Sequence, residues 1–193
     1  MESNVITKKR DAAATRACIL GAARQRFIRE SYDNVGLRDI AGDASIDVAL
    51  ISRYFGGKES LFREALSADK RPDTFREPKR ADDLPDFLAQ MIADDEDVEL
   101  QSRMEMFIIM LRSASSPQAG EIIREMVRSD VIEPLAELVG PEQGELRANM
   151  LLAILMGVGV LRSIMMVGSF TDQENNNECT ERFRSLFKAA LTC

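Results

Sequence analysis

Apolar residues recur at helical spacing over residues 37–44, and a second helical pattern follows after a short polar break. Leu37, Ile40 and Ala44 fall on one side of a helix because three and four positions separate them. The break ends at Asp47, whose carboxylate is suited to accept hydrogen bonds from the first N–H groups of a new helix. The pattern therefore predicts two short helices joined by a tight turn.

The second of these helices has an apolar inward side and a small, partly cationic outward side. Ile51 and Phe55 are four positions apart and are predicted to pack inward. The outward side consists of Val48, Ala49, Ser52 and Arg53. Small residues at a helix start let the backbone approach base edges in the major groove, and an arginine can reach a guanine edge or a phosphate. The outward side therefore indicates DNA reading rather than plain solvent contact.

Three further positions near these helices are candidates for DNA contact. Arg38 lies on the exposed side of the first helix, and Tyr54 offers a hydroxyl group to a phosphate oxygen. Lys58 follows Gly56 and Gly57 at the predicted start of a third helix, where free N–H groups and the helix dipole also favour anions. Phosphate contacts of this kind fix the position of the protein on DNA, whereas the outward side of the helix determines which base sequence is preferred.

The segment ahead of the first long helix is polar and ends in Lys8, Lys9 and Arg10. A basic arm of this kind can enter a minor groove or follow phosphate. We expect these three residues to contact DNA from a mobile arm. A solvated tail is the alternative that the sequence leaves open.

A family resemblance rests on four stretches: Ile19–Phe27, Tyr32, L-R-D-I-A-x-x-A at 37–44 and R-Y-F-G-G-K-E-S-L-F at 53–62. Together they resemble the N-terminal DNA-binding domain of TetR-type bacterial transcriptional repressors. In that family the third helix reads the operator, and a variable helical domain binds the effector. The resemblance implies that residues 47–54 form the recognition helix and that Lys58 contacts phosphate.

The chain departs from the family pattern at several turn positions. Ser31 and Ser45 stand where glycine is common, and a left-handed backbone would cost about 1 kcal/mol at each. Gly36 stands where a serine or threonine cap is common. Ser52 replaces a phosphate-contacting tyrosine and has a shorter reach.

The charge of the chain is distributed unevenly, although its net value is −7. Residues 1–60 contain ten Lys/Arg and eight Asp/Glu, a balance of +2, whereas residues 61–193 contain fifteen and twenty-four, a balance of −9. We therefore predict two parts: a helix-turn-helix DNA-binding domain over 1–60 and a helical effector-binding and dimerisation domain over 61–193. An acidic second part weakens loose attachment to DNA, so tight binding has to come from specific contacts at two half-sites.

The composition argues against an enzyme. The chain has no histidine, which removes the commonest general base and metal ligand, and its three cysteines are scattered. No glycine-rich phosphate loop or nucleophile motif is present. We expect no catalytic residue, no metal and no cofactor. The start of the sequence has no apolar run of the kind that heads a secretory signal, so a cytoplasmic location is expected.

The rest of the chain shows helical spacing and almost no strand-like alternation, which predicts an all-α fold. The predicted helices after the DNA-binding part are Lys58 to about Asp69, Leu84–Ala93, Val98–Leu111, Glu121–Val139, Met150–Val167 and Glu178–Leu191. A bend is expected near Pro134, which has no N–H to donate.

Residues 150–167 form the most apolar stretch of the chain, and Arg162 interrupts it. No cluster of positive residues flanks the stretch, so we expect no membrane contact. A soluble helix that is apolar on all sides must be covered on all sides. This stretch and the last helix are therefore predicted to form a four-helix homodimer interface. The interface candidates are Ala153, Gly157, Leu161, Ile164, Phe183, Leu186 and Phe187.

The chain has ten methionines, whose flexible thioethers suit a cavity that adapts to a small apolar effector. The effector-binding candidates are Arg103, Met104, Phe107, Met110, Met126, Met150, Ile154 and Arg162. A plain methionine-rich core is the alternative.

These patterns predict a ligand-responsive transcriptional regulator. The expected mechanism is a repressor dimer that a small apolar effector releases from a near-palindromic operator by favouring a state in which the connecting helix at 58–69 has swung. The alternatives are an activator or a ligand-independent regulator of the same fold, or a helical dimerisation module that does not bind DNA. An ordinary helical core with a solvated basic face is the simplest competing interpretation of the first domain.

Overall fold

The computed structural model describes residues 2–67, 74–93, 98–165 and 176–192, and at 2–11, 98–103, 163 and 176 it describes the backbone alone. In these ranges the chain forms α-helices and short helical turns, with no β-strand. The all-α class predicted from the spacing of apolar residues is confirmed.

Most helices lie where the sequence pattern places them, but those predicted to begin at Glu121 and Met150 begin earlier, at Pro117 and Gly144, and the predicted end at Val167 lies outside the described residues. The helices are α1 (Glu2–Arg29), α2 (Leu37–Asp43), α3 (Val48–Phe55), α4 (Lys58–Ser67), α5 (Leu84–Ala93), α6 (Val98–Ser113), α7 (Pro117–Val127), α8 (Glu133–Val139), α9 (Gly144–Ser163) and α10 (Asn176–Thr192). Single 3₁₀ turns lie at Tyr32–Asn34, Thr74–Arg76 and Ala81–Asp83.

The start of α1 corrects one expectation. The backbone of residues 8–10 is helical, so these residues do not form an arm that precedes the first helix. The segment contains no proline, and its first glycine is Gly21, so nothing in it stops a helix from extending to Glu2. The side chains of Lys8, Lys9 and Arg10 lie outside the described residues, and their DNA contacts stay a prediction.

The chain divides into two compact units. The first contains α1 to α4 together with Glu105–Ile123, and the second contains Arg71–Met104 and Arg124–Cys193. The compact units therefore do not follow a single division at residue 60, because the end of α6 and most of α7 return to the first unit. The functional assignment of the two sequence ranges stays a prediction.

Three aromatic rings form the centre of the first unit. The Phe62 ring lies 4.9 Å from the Phe27 ring and 5.0 Å from the Tyr32 ring, in edge-to-face contacts. Ile40 of α2 and Ile51 of α3 are fully buried in the same unit. α1 packs on α2 and α4, and α3 also packs on α2 and α4. The two short helices α2 and α3 are therefore fixed in position by α1 and α4.

The second unit has its own core, in which α5 packs on α10 and α8 packs on α9. Its fully buried members include Leu84, Leu88, Leu135, Leu151 and Phe187. Apolar residues recur at helical spacing around these positions, and this spacing identifies the inward side of each helix.

A close approach of backbone connects α8 and α9. A Cβ atom at Gly144 would lie 2.8 Å from the Ala136 carbonyl oxygen, closer than side chains tolerate. Gly140 ends α8 with φ +104°, a conformation that favours glycine. The two glycines therefore let the chain reverse tightly between these helices.

The helix predicted over 121–139 is interrupted where proline requires it. A π turn at Arg128–Ile132 separates α7 from α8, and the Glu133 N–H donates to the Arg128 carbonyl. Pro134 cannot donate a ladder hydrogen bond, and its ring crowds the carbonyl four residues earlier. The wider turn accommodates both effects directly before the proline.

One described helix, Gly144–Arg162, is long and apolar enough to cross a membrane by length and composition, with a mean hydropathy of 1.5. A core or interface helix of a soluble protein passes the same test. Glu145 and Arg147 occupy its first turn, and Ala148 and Leu151 are buried in the second unit. The finding is therefore weak support for a membrane span.

Candidate nucleic-acid interface

Two hydrogen bonds close the turn between α2 and α3. The Ser45 N–H donates to the Gly42 carbonyl at 3.1 Å, and the Ile46 N–H donates to the Ala41 carbonyl at 3.0 Å. This Schellman arrangement needs a left-handed residue, and Ser45 has φ +53°. Serine there costs about 1 kcal/mol relative to glycine. Ser31, in contrast, is extended, with φ −68°, and carries no such cost.

Asp47 starts α3 in the way that the sequence predicts. Its Oδ1 atom accepts a hydrogen bond from the Ala49 N–H at 2.7 Å. This bond satisfies one of the N–H groups that have no partner in the first turn. At the other end of α3, Gly56 is left-handed at φ +82° and its N–H donates to the Ser52 carbonyl at 2.9 Å.

Replacing Asp47 by alanine is expected to lower the free energy of unfolding by about 1 kcal/mol, because the cap is lost. Urea denaturation followed by circular dichroism measures the change. Asp47→Asn is the matched control, since an amide oxygen also caps, and it should remain close to the parent protein. Equal stability of Asp47→Ala and the parent would show that the cap contributes nothing.

The inward and outward sides of α3 lie as predicted. Ile51 and Phe55 are buried, with exposed fractions of 0% and 6%. The exposed residues of the helix are Val48, Ala49, Ser52 and Arg53. Tyr54 is half-buried. An apolar valine with 36% of its surface exposed at a helix start has the placement that contact with a thymine methyl group requires.

Contacts from α1 and α4 fix the end of α3. The Arg16 guanidinium lies 4.7 Å from the centre of the Phe55 ring, and the same group pairs with the Glu64 carboxylate. The cation therefore holds an aromatic ring of α3 and a carboxylate of α4 together. A rigid support of this kind reduces the conformational freedom that α3 would lose on binding.

Lys58 at the start of α4 is held over an aromatic ring. Its Nζ atom lies 4.2 Å from the centre of the Tyr32 ring. Burial lowers the pKa of Lys58, and the Asp33 carboxylate opposes that shift. Burial is also the main cause of a raised pKa for the Tyr32 hydroxyl, with Glu59 and Asp33 adding to it. The ammonium group is thus partly desolvated and held over this ring.

Other cations of the first unit are engaged within the protein. Arg26 donates to both Asp43 carboxylate oxygens, at 2.5 and 2.8 Å, and to Glu30 at 3.2 Å. The hydrogen bond to Arg26 is the main cause of a lowered pKa for Asp43. Arg38, in contrast, is exposed on α2, where the sequence predicts a DNA contact.

Gly36, which stands where the family commonly has a serine or threonine cap, directly precedes α2. The Asp39 Oδ2 atom accepts a hydrogen bond from the Gly36 N–H at 3.1 Å. Glycine has no side chain to return the bond, so only one half of a capping box forms. A Cβ atom at Gly36 would lie 2.7 Å from that Oδ2 atom, so a larger residue would displace the Asp39 side chain.

Two serines that sequence reasoning missed hold the corner between α1 and α2. The Tyr32 N–H donates to the Ser113 hydroxyl at 3.1 Å, and the Ser116 hydroxyl donates to the Asp33 Oδ1 atom at 2.8 Å. The partners are 81 and 83 positions apart in sequence. Helical periodicity carries no signal for contacts at that separation, and two serines near a helix end resemble ordinary capping residues.

The effector-binding candidates are distributed over both units. Phe107 and Met110 are buried in the first unit, whereas Met104, Met126, Met150, Ile154 and Arg162 belong to the second. Met150 and Ile154 pack beside the core of the second unit. The Arg103 side chain lies outside the described residues. Among the described residues, no group of three or more His, Cys, Asp or Glu is placed to hold a metal ion.

Arg162 has a defined role within the second unit. Its Nη1 atom donates to the Ile92 carbonyl at 2.7 Å, which satisfies a carbonyl in the last turn of α5. Burial lowers the pKa of the Arg162 guanidinium, and the nearby Cys179 thiol opposes that shift. The residue is therefore half-buried and already engaged at a helix end.

The candidates for the dimer interface separate into exposed and buried residues. Ala153 and Gly157 of α9 and Ile164, which directly follows α9, are exposed, and Leu186 of α10 is 47% exposed. Leu161 is half-buried, and Phe183 is half-buried against the core of the second unit. The prediction that Phe187 contacts the partner subunit is corrected, because this residue is fully buried in the core of its own unit. One apolar side of α10 packs on its own unit.

A short capped helix with an exposed reading side, held by a left-handed turn and a packed three-helix base, defines a helix-turn-helix DNA-binding protein. Residues 19–65 match the family described as bacterial regulatory proteins, tetR family. Residues 82–178 match the tetracyclin repressor-like C-terminal domain. The chain therefore belongs to the TetR family of transcriptional regulators, which are DNA-binding transcription factors and not enzymes.

Solved structures share the fold over nearly the whole chain. GusR of Salmonella enterica is 21% identical with a TM-score of 0.68, covering 93% of this chain and 96% of its own. NalD of Pseudomonas aeruginosa, the secondary repressor of the MexAB-OprM multidrug efflux pump, is 20% identical with a TM-score of 0.67, covering 90% of this chain and 96% of its own. At these identities the likeness shows the fold alone. No curated protein matches the chain.

Proposed function

We propose that this regulator binds a near-palindromic DNA operator as a homodimer and represses transcription until a small, largely apolar effector releases it. The outward side of α3 carries the proposal, because small apolar residues and Arg53 are exposed there on a capped helix. The protein would act in the cytoplasm, where the DNA is.

Within this proposal, α3 enters the major groove and its neighbours contact the backbone. Val48, Ala49 and Arg53 would read base edges, and Ser52 would add a short-range contact. The phosphate contacts would come from Tyr54, Lys58, Arg38 and the basic residues at 8–10. The position of Lys58 at the N-terminus of α4 supports its role, since the helix dipole and free N–H groups attract the same phosphate.

An exposed apolar stripe on α9 supports the homodimer. Leu146 is 57% exposed and Ile164 is 50% exposed, and Ala153 and Gly157 are exposed on the helix between them. Exposed apolar residues aligned on one side of a helix suit packing against the same helix of a second copy. Leu186 of α10 would extend it into the four-helix arrangement that two copies of α9 and α10 form. Two copies of α3 would then lie about one DNA turn, roughly 34 Å, apart.

The effector proposal rests on the methionines and on aromatic and aliphatic residues around α6, α7 and α9. Met104, Phe107 and Met110 follow one another on α6 at helical spacing. Such side chains adapt to apolar ligands of varied shape. Repression is carried over as part of the proposal from NalD, which is a repressor of the same fold, and the reporter experiment below distinguishes it from activation.

Selection of bound fragments from random duplex DNA tests the proposal. The expected result is a near-palindrome whose half-sites are about 10 base pairs apart, centre to centre. A promoter that carries this sequence should then be silenced by the protein in a reporter strain. Recovery of no enriched sequence would refute operator binding, and increased reporter output would identify an activator.

Substitutions in the interface should separate into two groups. Lys58→Ala and Tyr54→Phe are expected to weaken binding to all duplexes alike, and Lys58→Ala should reduce the salt slope by about 1. Val48→Ala and Arg53→Ala should instead alter the preferred bases, at a cost of about 1–3 kcal/mol at the affected position. Gel shifts on the selected duplex and on single-base variants measure both effects.

Lys188→Ala is the matched control, since this exposed lysine of α10 lies in the second unit. It should leave affinity and preference unchanged. If all four interface variants lost affinity to the same degree on every duplex, the assigned division between base and phosphate contacts would be wrong.

A further inference from the structure

Ser113 and Ser116 are the polar residues that are buried among the described residues, with exposed fractions of 0% and 4%. Both belong to the first unit, and both bind the corner at Tyr32–Asn34. They do so in different ways. Ser113 accepts a backbone N–H, whereas Ser116 donates its hydroxyl to the Asp33 carboxylate at 2.8 Å.

Asp33 accepts the Ser116 hydroxyl and directly follows Tyr32, whose ring carries the Lys58 ammonium group over its face. Burial lowers the pKa of Lys58 and the charge of the Asp33 carboxylate opposes that shift, although the described residues contain no ion pair between the two. The Lys58 Nζ atom instead lies over the Tyr32 ring. The hydrogen bond from Ser116 restrains the Asp33 carboxylate by one of its oxygens.

We propose that Asp33 is a competing counter-charge for Lys58 and that the Ser116 hydroxyl controls the competition. While Ser116 holds Asp33, the Lys58 ammonium group is available to a DNA phosphate. When the hydrogen bond breaks, Asp33 pairs with Lys58 and DNA affinity falls. This inference rests on the proposed DNA-binding function and gives it a regulatory element.

The location of Ser116 suits such control. It lies in the turn between α6 and α7, and it also caps α7, since its oxygen accepts the Ala119 N–H at 3.4 Å. The proposed effector contacts Met104, Phe107 and Met110 lie on α6, which ends at Ser113. A shift of α6 on effector binding would therefore move the turn that holds Asp33.

A double-mutant cycle tests the proposal. Ser116→Gly removes the hydroxyl, and glycine costs only a few tenths of a kcal/mol at a helix cap. We expect it to weaken binding to a mixed-sequence duplex and to the selected duplex about fivefold at low salt, the size of one surface ion pair. The deficit should fade as salt rises, because the Asp33–Lys58 attraction is screened.

Asp33→Asn removes the competing charge and keeps an oxygen that can accept the Ser116 hydroxyl. It should tighten binding about twofold to threefold, within the range of one exposed ion pair. In the Asp33→Asn background, Ser116→Gly should have no further effect on affinity. Ser113→Ala is the matched control, since it loosens the same corner without touching a charge, and its effect should be the same in both backgrounds.

The outcomes separate the two proposals. If the parent protein binds neither duplex, DNA binding itself fails and this inference falls with it. If the parent binds and Ser116→Gly weakens binding equally in both backgrounds, only the counter-charge is refuted, because the serine is then structural. If Ser116→Gly fails to fold, the Asp33→Asn variant alone tests the inference. Unchanged or weaker DNA binding by Asp33→Asn would then overturn it.

Discussion

Replacing Phe62 by alanine is expected to lower the free energy of unfolding by about 3–5 kcal/mol and to abolish DNA binding. The ring is fully buried and makes edge-to-face contacts with Phe27 and Tyr32, so truncation leaves a cavity in the centre of the first unit. A domain of this size is stable by only about 5–15 kcal/mol, so the loss is a large share of the total.

Urea denaturation and gel shifts on the selected duplex measure these effects. Ser60→Ala is the control, because Ser60 is exposed on the same helix, and it should change neither quantity. Phe62→Leu should lie between the two, since it restores part of the lost volume. A loss below about 1 kcal/mol for Phe62→Ala would show that the ring is not a structural centre.

Gly157→Glu is expected to convert the dimer to a monomer and to weaken operator binding by about 10²–10⁴-fold, because two linked half-site contacts become independent. A Cβ atom at Gly157 meets nothing within 4 Å in the subunit, so the side chain fits the folded chain. In a dimer formed through α9, the same carboxylate would be buried without a partner.

Sedimentation equilibrium and gel shifts give the two measurements. Gly21→Glu is the matched control, since Gly21 is also exposed on a helix with open space around it, and it should leave the dimer intact. A Gly157→Glu protein that stays dimeric, or a parent protein that is monomeric, would contradict an interface on α9.

Much of the first unit could be predicted because its short helices have a clear inward side. Ile40, Ile51 and Phe55 are buried where the spacing requires it, and Asp47 caps α3 as its side-chain chemistry suggests. The start of α1 was not predictable in the same way. A polar helix with no apolar side gives no periodic signal, although nothing in it forbids a helix.

Sequence patterns identify an apolar side of a helix but not its partner. Phe187 and Leu186 are adjacent on α10, and the first is fully buried in its own unit whereas the second is exposed. The packing of α10 on α5 and α9 distinguishes them. Likewise, Pro134 predicted a bend, but the π turn that precedes it depends on how the neighbouring backbone adjusts.

The corner at Tyr32–Asn34 limits how this regulator can be recombined with others. A chimera that carries only the first 60 residues would separate the Tyr32 N–H from the Ser113 hydroxyl and Asp33 from Ser116. A buried donor left unsatisfied costs about 1–3 kcal/mol. A chimera that transfers the DNA-binding helices therefore also has to include Glu105–Ile123. The first unit is therefore encoded by two separate parts of the gene, and a chimera that keeps it intact needs both.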